Sequence, residues 1–488
     1  MSNLLFRPVA SYSLALFRIF WGVLLFGTAV SSYDQITGVY SPDYFHFRYF
    51  GFEWVPYPET ELDTFVELSI LLGLAIGVAS GFFTRLCLVL YAVIYLHLFL
   101  IDQVYYNNHF YLTILICVCL SLTDSGNVAS VTNLLFKKRK PLHFVPSWQY
   151  WVLRFQIVLV YLFGGLAKLN SDWLRGEPLR YWLNYSSSIK WPLQALAKEE
   201  WFVYVCAYGG IAIDLICPVF LLFRKTRWVG AIVLISFHIL NSRLFNIGLF
   251  PLIGLVLLIP FFENQKAFRA VYSWMVPNSS GESRDDLSLA SRPFILPVLA
   301  IYVSIQILGP LRHHFLRLDP AWTEVGRFFS WRMMLRNKDS YLDFLIDSSE
   351  AREWISNNAG RLPKLHSNHL ISLQENPWFL LQYVRKLDEV LSSHGMTNVP
   401  IRAVCLVSLN HRPYQVLIDP SVDLTEVEYS ILKEPDWILP LNRSLSQTVK
   451  PLSREDRLKS LQSAIDKFRE QNPEKSILLN GYQAKTGG

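Results

Sequence analysis

Charge is scarce in this 488-residue chain: Asp, Glu, Lys and Arg make up 17% of it, against 52% hydrophobic residues. That excludes a disordered chain, which keeps charge in place of apolar surface. The net charge of +6 is modest and its cations gather in loops, so a nucleic-acid partner is not expected. Cysteine is rare as well. Cys87, Cys117, Cys119, Cys206 and Cys217 sit in apolar blocks, and only Cys405 lies in the polar half. Neither a disulfide framework nor a CxxC metal site can be read from them. Internal repeats and low-complexity tracts are absent too. No cleavable signal peptide is evident, since Met1 to Ala10 is short and the apolar block after it reads as a span that stays.

What the chain has instead is long apolar runs. Candidate spans are Ser11–Ser31, Val66–Phe83, Leu86–Ile101, Phe110–Thr123, Trp151–Leu169, Trp201–Phe223, Trp228–Leu240, Ile247–Phe262 and Pro293–Pro310. Several are shorter than the ~20 residues of a straight crossing. The expected fold is a polytopic α-helical membrane bundle of about nine spans, residues 1–310, followed by an α+β extramembrane domain over 311–450 and a charged helix and tail over 451–488. Arg85, Lys137-Lys138-Arg139-Lys140, Arg224-Lys225 with Arg227, and the Lys266–Arg292 loop all follow even-numbered spans. The positive-inside rule places those loops and the N-terminus in the cytoplasm. Nine spans then leave the C-terminal third in the periplasm or the ER lumen, with Lys168, Asn108 and Asn241 at that outer end. In the polar third, Ser340–Asp347 and Ile401–Asp419 read as strands, the second with a turn at Asn410-His411-Arg412-Pro413. Pro377, Leu380, Val384, Leu387 and Leu391 read as one amphipathic helix, and Arg454–Gln471 as a charged one.

A few polar residues stand out against the apolar blocks. Lys168 ends a span, with Gly164 and Gly165 on its helical face leaving room beside it. A lysine there is either a functional group or an anchor whose ammonium reaches the interface. Arg18 and Asp214, inside spans, form one ion pair or each bond to backbone. Asn107-Asn108-His109 stands where the third span hands over to the fourth, as a helix cap or a ligand site. His238 and Asn241 share one helical face, as polar packing or as ligands. His313-His314 follows the last span, and Trp322 and Trp331 are substrate-binding or core aromatics.

The run Val160-Tyr161-Leu162-Phe163-Gly164-Gly165-Leu166-Ala167-Lys168-Leu169-Asn170-Ser171-Asp172-Trp173 resembles the catalytic-lysine segment of the vitamin K-dependent gamma-glutamyl carboxylases and their bacterial relatives, which carry an HTTM membrane domain. Tyr106-Asn107-Asn108-His109, Phe237 through Phe245, and Trp322 through Met334 resemble the same family in the same order, and Leu14 through Arg18 also fits. The resemblance implies that Lys168 is the base acting on reduced vitamin K, a quinol of menaquinol or phylloquinol type. It implies that Asn108, His109, His238 and Asn241 lie at the quinone. His313, Trp322, Arg327, Trp331, Arg336 and Lys338 fall to the side of the glutamate peptide. Dioxygen and carbon dioxide are the implied co-substrates, a lipid bilayer the surroundings, and no metal is required. Where vertebrate carboxylases have a tyrosine, a histidine and an arginine, this chain has Arg327, Leu335 and Asn337. The resemblance therefore implies a carboxylase in a bacterial inner membrane or the ER membrane. A quinol epoxidase that does not carboxylate, and a binding or transport protein on the same scaffold, remain as alternatives.

Overall fold

The computed structural model of the protein describes residues 5–40, 42–136, 144–185, 189, 191–263, 265–275, 295–315, 319–430, 435–442, 454–471 and 476–477. The basic run Lys137–Lys140, most of the Lys266–Arg292 loop, Pro293 and the Thr486–Gly488 end lie outside the described residues. The chain divides into two compact units. One comprises Met1–Ser41, Val55–Leu100 and Tyr106–Gly309; the other comprises Pro42–Trp54, Ile101–Tyr105 and Pro310–Gly488.

The first unit is helical: α1 (Tyr12–Ser31), α2 (Glu61–Ser80), α3 (Thr84–Ile101), α4 (Asn108–Ser121), α5 (Trp148–Ala167), α6 (Glu200–Leu222), α7 (Arg227–Leu244), α8 (Phe250–Val256) and α9 (Ile295–Leu311). Among the described residues, six stretches are long and apolar enough to cross a membrane: Tyr12–Gly38, Glu61–Ser80, Thr84–Ile101, Trp148–Ala167, Glu200–Leu222 and Ile295–His314. Three of the nine expected spans fall short of that measure. Asn108–Ser121 and Phe250–Phe261 are shorter apolar helices, the second broken near Pro260, which cannot continue the helix ladder. The third, α7, carries Arg227 and Arg243.

Small residues bring the helices together. A Cβ on Gly22 of α1 would stand 2.4 Å from the backbone nitrogen of Ala79 in α2, so only glycine permits that crossing. Buried charges find local partners. Arg18 donates to the Ala129 carbonyl at 2.6 Å, so it bonds to backbone and forms no pair with Asp214. Arg154 and Arg227 share Glu263, and Arg154 also donates to the Pro260 carbonyl at 2.8 and 3.0 Å.

In the first unit two short strands, β1 (Pro8–Ala10) and β2 (Phe144–Pro146), pair antiparallel. The second unit is built on a sheet with strand order β5-β4-β3-β6, where β3 is Lys338–Ile346, β4 Ile401–Leu409, β5 Gln415–Val416 and β6 Ser476–Ile477. β3 and β4 run antiparallel, with Lys338 opposite Leu409 and Ile346 opposite Ile401. The expected second strand is thus two, β4 and β5, divided by the turn at Asn410–Pro413. Both faces of β3 and β4 are covered, so their residues are buried almost throughout. Leu342, Phe344, Ile346, Ala403, Cys405 and Val407 face a core shared with α12 (Pro377–Ser393). Tyr341, Leu345, Val404 and Leu406 face Leu461 and Ile465 of α13 (Arg454–Gln471). α10 (Ser349–Asn357) and α11 (Ser367–Glu375) complete the layer. The extended stretch around Phe47 belongs here as well. Phe47 stacks on Phe379 at 4.8 Å, and the backbone of Arg48 exchanges hydrogen bonds with Gln382 at 2.7 and 3.0 Å.

Candidate active site

Lys168 closes α5, and Tyr161, Gly164, Gly165 and Lys168 share one face of its helical path. α6 packs on that face because Gly165 has no side chain: a Cβ there would meet Leu215 at 2.7 Å and the Cβ of Asp214 at 3.0 Å. The close approach puts Lys168 Nζ 2.5 Å from Asp214 Oδ2. The residues after the lysine build a roof. Asn170 accepts the N–H groups of Asp172 and Trp173 at 3.1 and 3.0 Å and donates to the Ala167 carbonyl at 2.9 Å, so the chain turns at once into Ser171–Leu174. Trp173 is thereby folded back; its indole N–H donates to the Ala207 carbonyl at 2.9 Å, and its ring centroid lies 5.3 Å from Nζ, within cation–π range. Lys168 is 8% exposed. An anchoring lysine holds its ammonium in water, and this one holds it against a carboxylate and an indole.

Two turns back on the same face, Tyr161 Oη pairs with His238 Nε2 at 2.7 Å. His238 is buried in α7, and Gly254 leaves its place: a Cβ on Gly254 would fall 2.3 Å from Nε2. The Phe250 ring stands 5.8 Å from His238 and 6.0 Å from His109, so these two histidines flank one aromatic ring. His238 Nδ1 is buried and has no hydrogen-bond partner among the described residues. Asn108 Oδ1 accepts the Tyr106 hydroxyl at 3.0 Å, while Asn107 caps α4. Asn241, one turn beyond His238, is half-buried.

In the second unit, Arg327, Arg336 and Lys338 converge on one acid, and His313 and Trp331 do not. Glu324 is buried and ion-paired with Arg327 at 2.7 Å, Arg336 at 3.1 Å and Lys338 at 2.6 Å. Burial raises the Glu324 carboxyl, but Arg336, Lys338 and Arg327 outweigh it and bring the pKa down to about 2. Lys338 Nζ also donates to the Trp322 and Glu375 carbonyls at 2.7 and 2.9 Å, and Arg336 reaches the Glu375 carboxylate at 2.9 Å. Trp322 and Trp331 are fully buried, and Trp322 donates to the Leu439 carbonyl at 2.8 Å. His313 Nδ1 meets the Pro310 carbonyl at 2.7 Å and its Nε2 faces Arg332 at 3.3 Å, which fixes the proton on Nδ1.

Residues 6–265 match the HTTM domain, and residues 291–444 match the lumenal domain of vitamin K-dependent gamma-carboxylase. The chain belongs to the vitamin K-dependent gamma-glutamyl carboxylase family. No solved structure matches it. Family membership makes it an integral membrane protein of gamma-carboxylase type, with reduced vitamin K as the expected redox partner and a glutamate-containing protein as the expected substrate.

Three groups escaped the sequence. Asp214 stood out as an acid in an apolar helix, yet its partner lies 46 residues away. Glu324 carried no signal, being one acid among many in the polar third. His46, Asp102 and His369 meet in the buried interior of the second unit although 56 and 267 residues separate the histidines from the aspartate. This trio has the donor set of a metal site. However, His369 Nδ1 accepts the N–H of His366 at 3.3 Å, so its proton sits on Nε2, directed at Asp102 Oδ2 2.7 Å away. Asp102 is complete as a carboxylate: Oδ2 accepts both imidazoles and Oδ1 the Val104 N–H at 3.0 Å. Burial raises its pKa, and the hydrogen bonds from His369 and His46 lower it overall.

Proposed function

We propose that this gamma-carboxylase family protein couples oxygenation of reduced vitamin K, to its epoxide, with carboxylation of protein glutamate. The observation that carries the reading is Lys168: a lysine held inside a helical unit, roofed by Trp173 and shielded from bulk water. A quinol ring is flat and apolar with an oxygen at each end. The buried Nδ1 of His238, without a partner among the described residues and beside the Phe250 ring, suits one such oxygen. In this reading His238, His109, Asn108 and Asn241 hold and orient the ring, and Lys168 receives a hydroxyl proton at Nζ. Reduced vitamin K, with dioxygen, supplies the strong base that removes a glutamate γ-proton, and carbon dioxide takes the vacated position. Burial around Lys168 keeps water from competing for that base. No metal is invoked.

The glutamate side rests on the charge around Glu324. Arg327, Arg332, Arg336 and Lys338 gather at Glu324, Glu375 and Asp319. Such a concentration of cations suits a substrate carboxylate, and the reading gives His313, Trp322 and Trp331 to the same side of the reaction. The same cluster also supports a second reading. Cations already turned onto Glu324 are less free to bind glutamate, and an enzyme of this kind would form epoxide without carboxylating.

The second unit includes Pro42–Trp54, which follows the first candidate span, and Ile101–Tyr105, which ends and follows the third. Loops after odd-numbered spans share a side, so the C-terminal domain lies with them, periplasmic or lumenal, opposite a cytoplasmic N-terminus. Incubating the purified protein with reduced vitamin K, labelled carbon dioxide and a glutamate peptide tests the reading. Label in the peptide together with epoxide is the expected result. Epoxide without label selects the second reading, and turnover of neither removes both.

A further inference from the structure

Asp214 is the buried ionisable group nearest the reacting amine, and family resemblance gives it no part. Among the described residues its hydrogen-bond donor is Lys168 Nζ at 2.5 Å, and both side chains are nearly closed off from solvent, at 10% and 6% exposure. An ammonium paired with a carboxylate in this way has no lone pair with which to accept a proton. If Lys168 is the base of the reaction, its own proton must first have somewhere to go. The geometry offers one acceptor. Gly165 holds α5 and α6 close enough for the contact, and Trp173, bonded to Ala207 two helical turns before Asp214 on α6 and packed over Gly210, covers it.

We propose that Asp214 is the proton store of the site and that Lys168 is the bridge to it. The inference rests on the reading of Lys168 as the base. As Nζ takes a proton from the hydroxyl of a bound quinol, it passes one of its own to Asp214 Oδ2. At Nζ one N–H bond forms and one breaks; an O–H bond forms on Asp214; the ligand's O–H breaks and its oxygen is left anionic. Lys168 remains an ammonium throughout and faces the new anion, while the carboxylate that would have repelled that anion has become neutral. A free amine acting alone would instead leave the anion and the Asp214 carboxylate in the same low-dielectric pocket, which costs more than the same charges in water. Asp214 thus acts through Lys168, as a positioning and proton-accepting residue.

Two readouts on purified Asp214→Asn and Asp214→Glu proteins separate this from its alternatives. The first is acylation of Lys168 by a small amine-directed reagent at pH ~7 without quinone, followed by mass spectrometry of the peptide. Asp214→Asn should raise that acylation severalfold, because the ammonium has lost its counterion. The second is epoxide formation as a function of pH. Asp214→Asn should lose about a hundredfold, the lower range of general base catalysis. The opposite signs decide the matter: a free-amine base gains from the loss of Asp214, and a relay fails. Asp214→Glu should recover part of the rate with its acid limb displaced along the pH axis. Epoxide formation in Asp214→Asn at or above the wild-type rate overturns the relay. Should Asp214→Asn fail to fold, a folded Asp214→Glu with wild-type pH profile and wild-type acylation overturns it equally. Lys168→Ala distinguishes the deeper failure: retained epoxidation there removes the base itself, whereas its loss beside an active Asp214→Asn removes only the relay.

Discussion

At the scale of single residues, Lys168 is defined by what surrounds it. Its run, with two glycines before it, is legible in the sequence as a helix end with room beside the lysine, whereas the turn capped by Asn170 and the cover of Trp173 came from the fold. Its partner was not legible, because a contact across 46 residues depends on how α6 lies against α5. Lys168→Arg is the sharper substitution here. Arginine keeps the charge, can still pair with Asp214 and packs against an indole, but guanidinium does not release its proton in proteins. Epoxide formation should therefore fall at least about a hundredfold with the protein still folded. Near-normal turnover in a well-expressed Lys168→Arg protein would return the lysine to a structural role.

At the scale of elements, the cluster around Glu324 joins the turn after Pro320–Thr323, the start of β3 and the end of α11. Removing one buried partner strands the others, typically at a cost of about 3–5 kcal/mol. The sign of the pH effect follows from the lowered carboxyl. Its ordinary value is 4.5 and its value in the fold is about 2, so the folded state binds this proton more weakly than the unfolded chain does. The stabilisation is complete above the ordinary value and is lost as pH falls through the window between the two. Thermal unfolding of the wild type followed in detergent should show a midpoint that drops across that window. Glu324→Gln should start lower at neutral pH and respond less to acid. A wild-type midpoint indifferent to acid in that range would mean that Glu324 is no keystone of the domain. Sequence patterning announced β3, β4, the Pro377 helix and α13 through their apolar spacing, yet said nothing of Glu324, since the pairing of charges has no period.

At the scale of the whole molecule, sidedness follows from the parity of the crossings. Three of the six long apolar stretches follow residue 105. If Ile101–Tyr105 and the C-terminal domain are on one side, an even number of crossings must separate them. An odd number among α4, α7 and the Phe250–Phe261 segment must then cross too, and all three crossing restores nine spans. Cysteines placed at exposed Lys386 in α12 and exposed Lys225 between α6 and α7 test this in sealed membranes. An impermeant thiol reagent should reach them from opposite sides, the native cysteines being mostly buried. Labelling of both from one side would break the shared-side argument.

What the sequence by itself determined is everything that repeats or lies close along the chain: the apolar runs, the two main strands of the polar third, the turn at Asn410–Pro413, and the ordered motifs that carried the family resemblance. These follow from local propensity and from the burial of apolar side chains, both of which leave a pattern in the order of residues. Tertiary structure alone decided the pairings that carry charge. Arg18 went to a backbone carbonyl, Asp214 to Lys168, and Asp102 drew in histidines from both ends of the chain. A buried charge must find a partner, and any opposite charge or backbone carbonyl will serve. Which one it finds is fixed only when small residues such as Gly22 and Gly165 allow two backbones to come within reach.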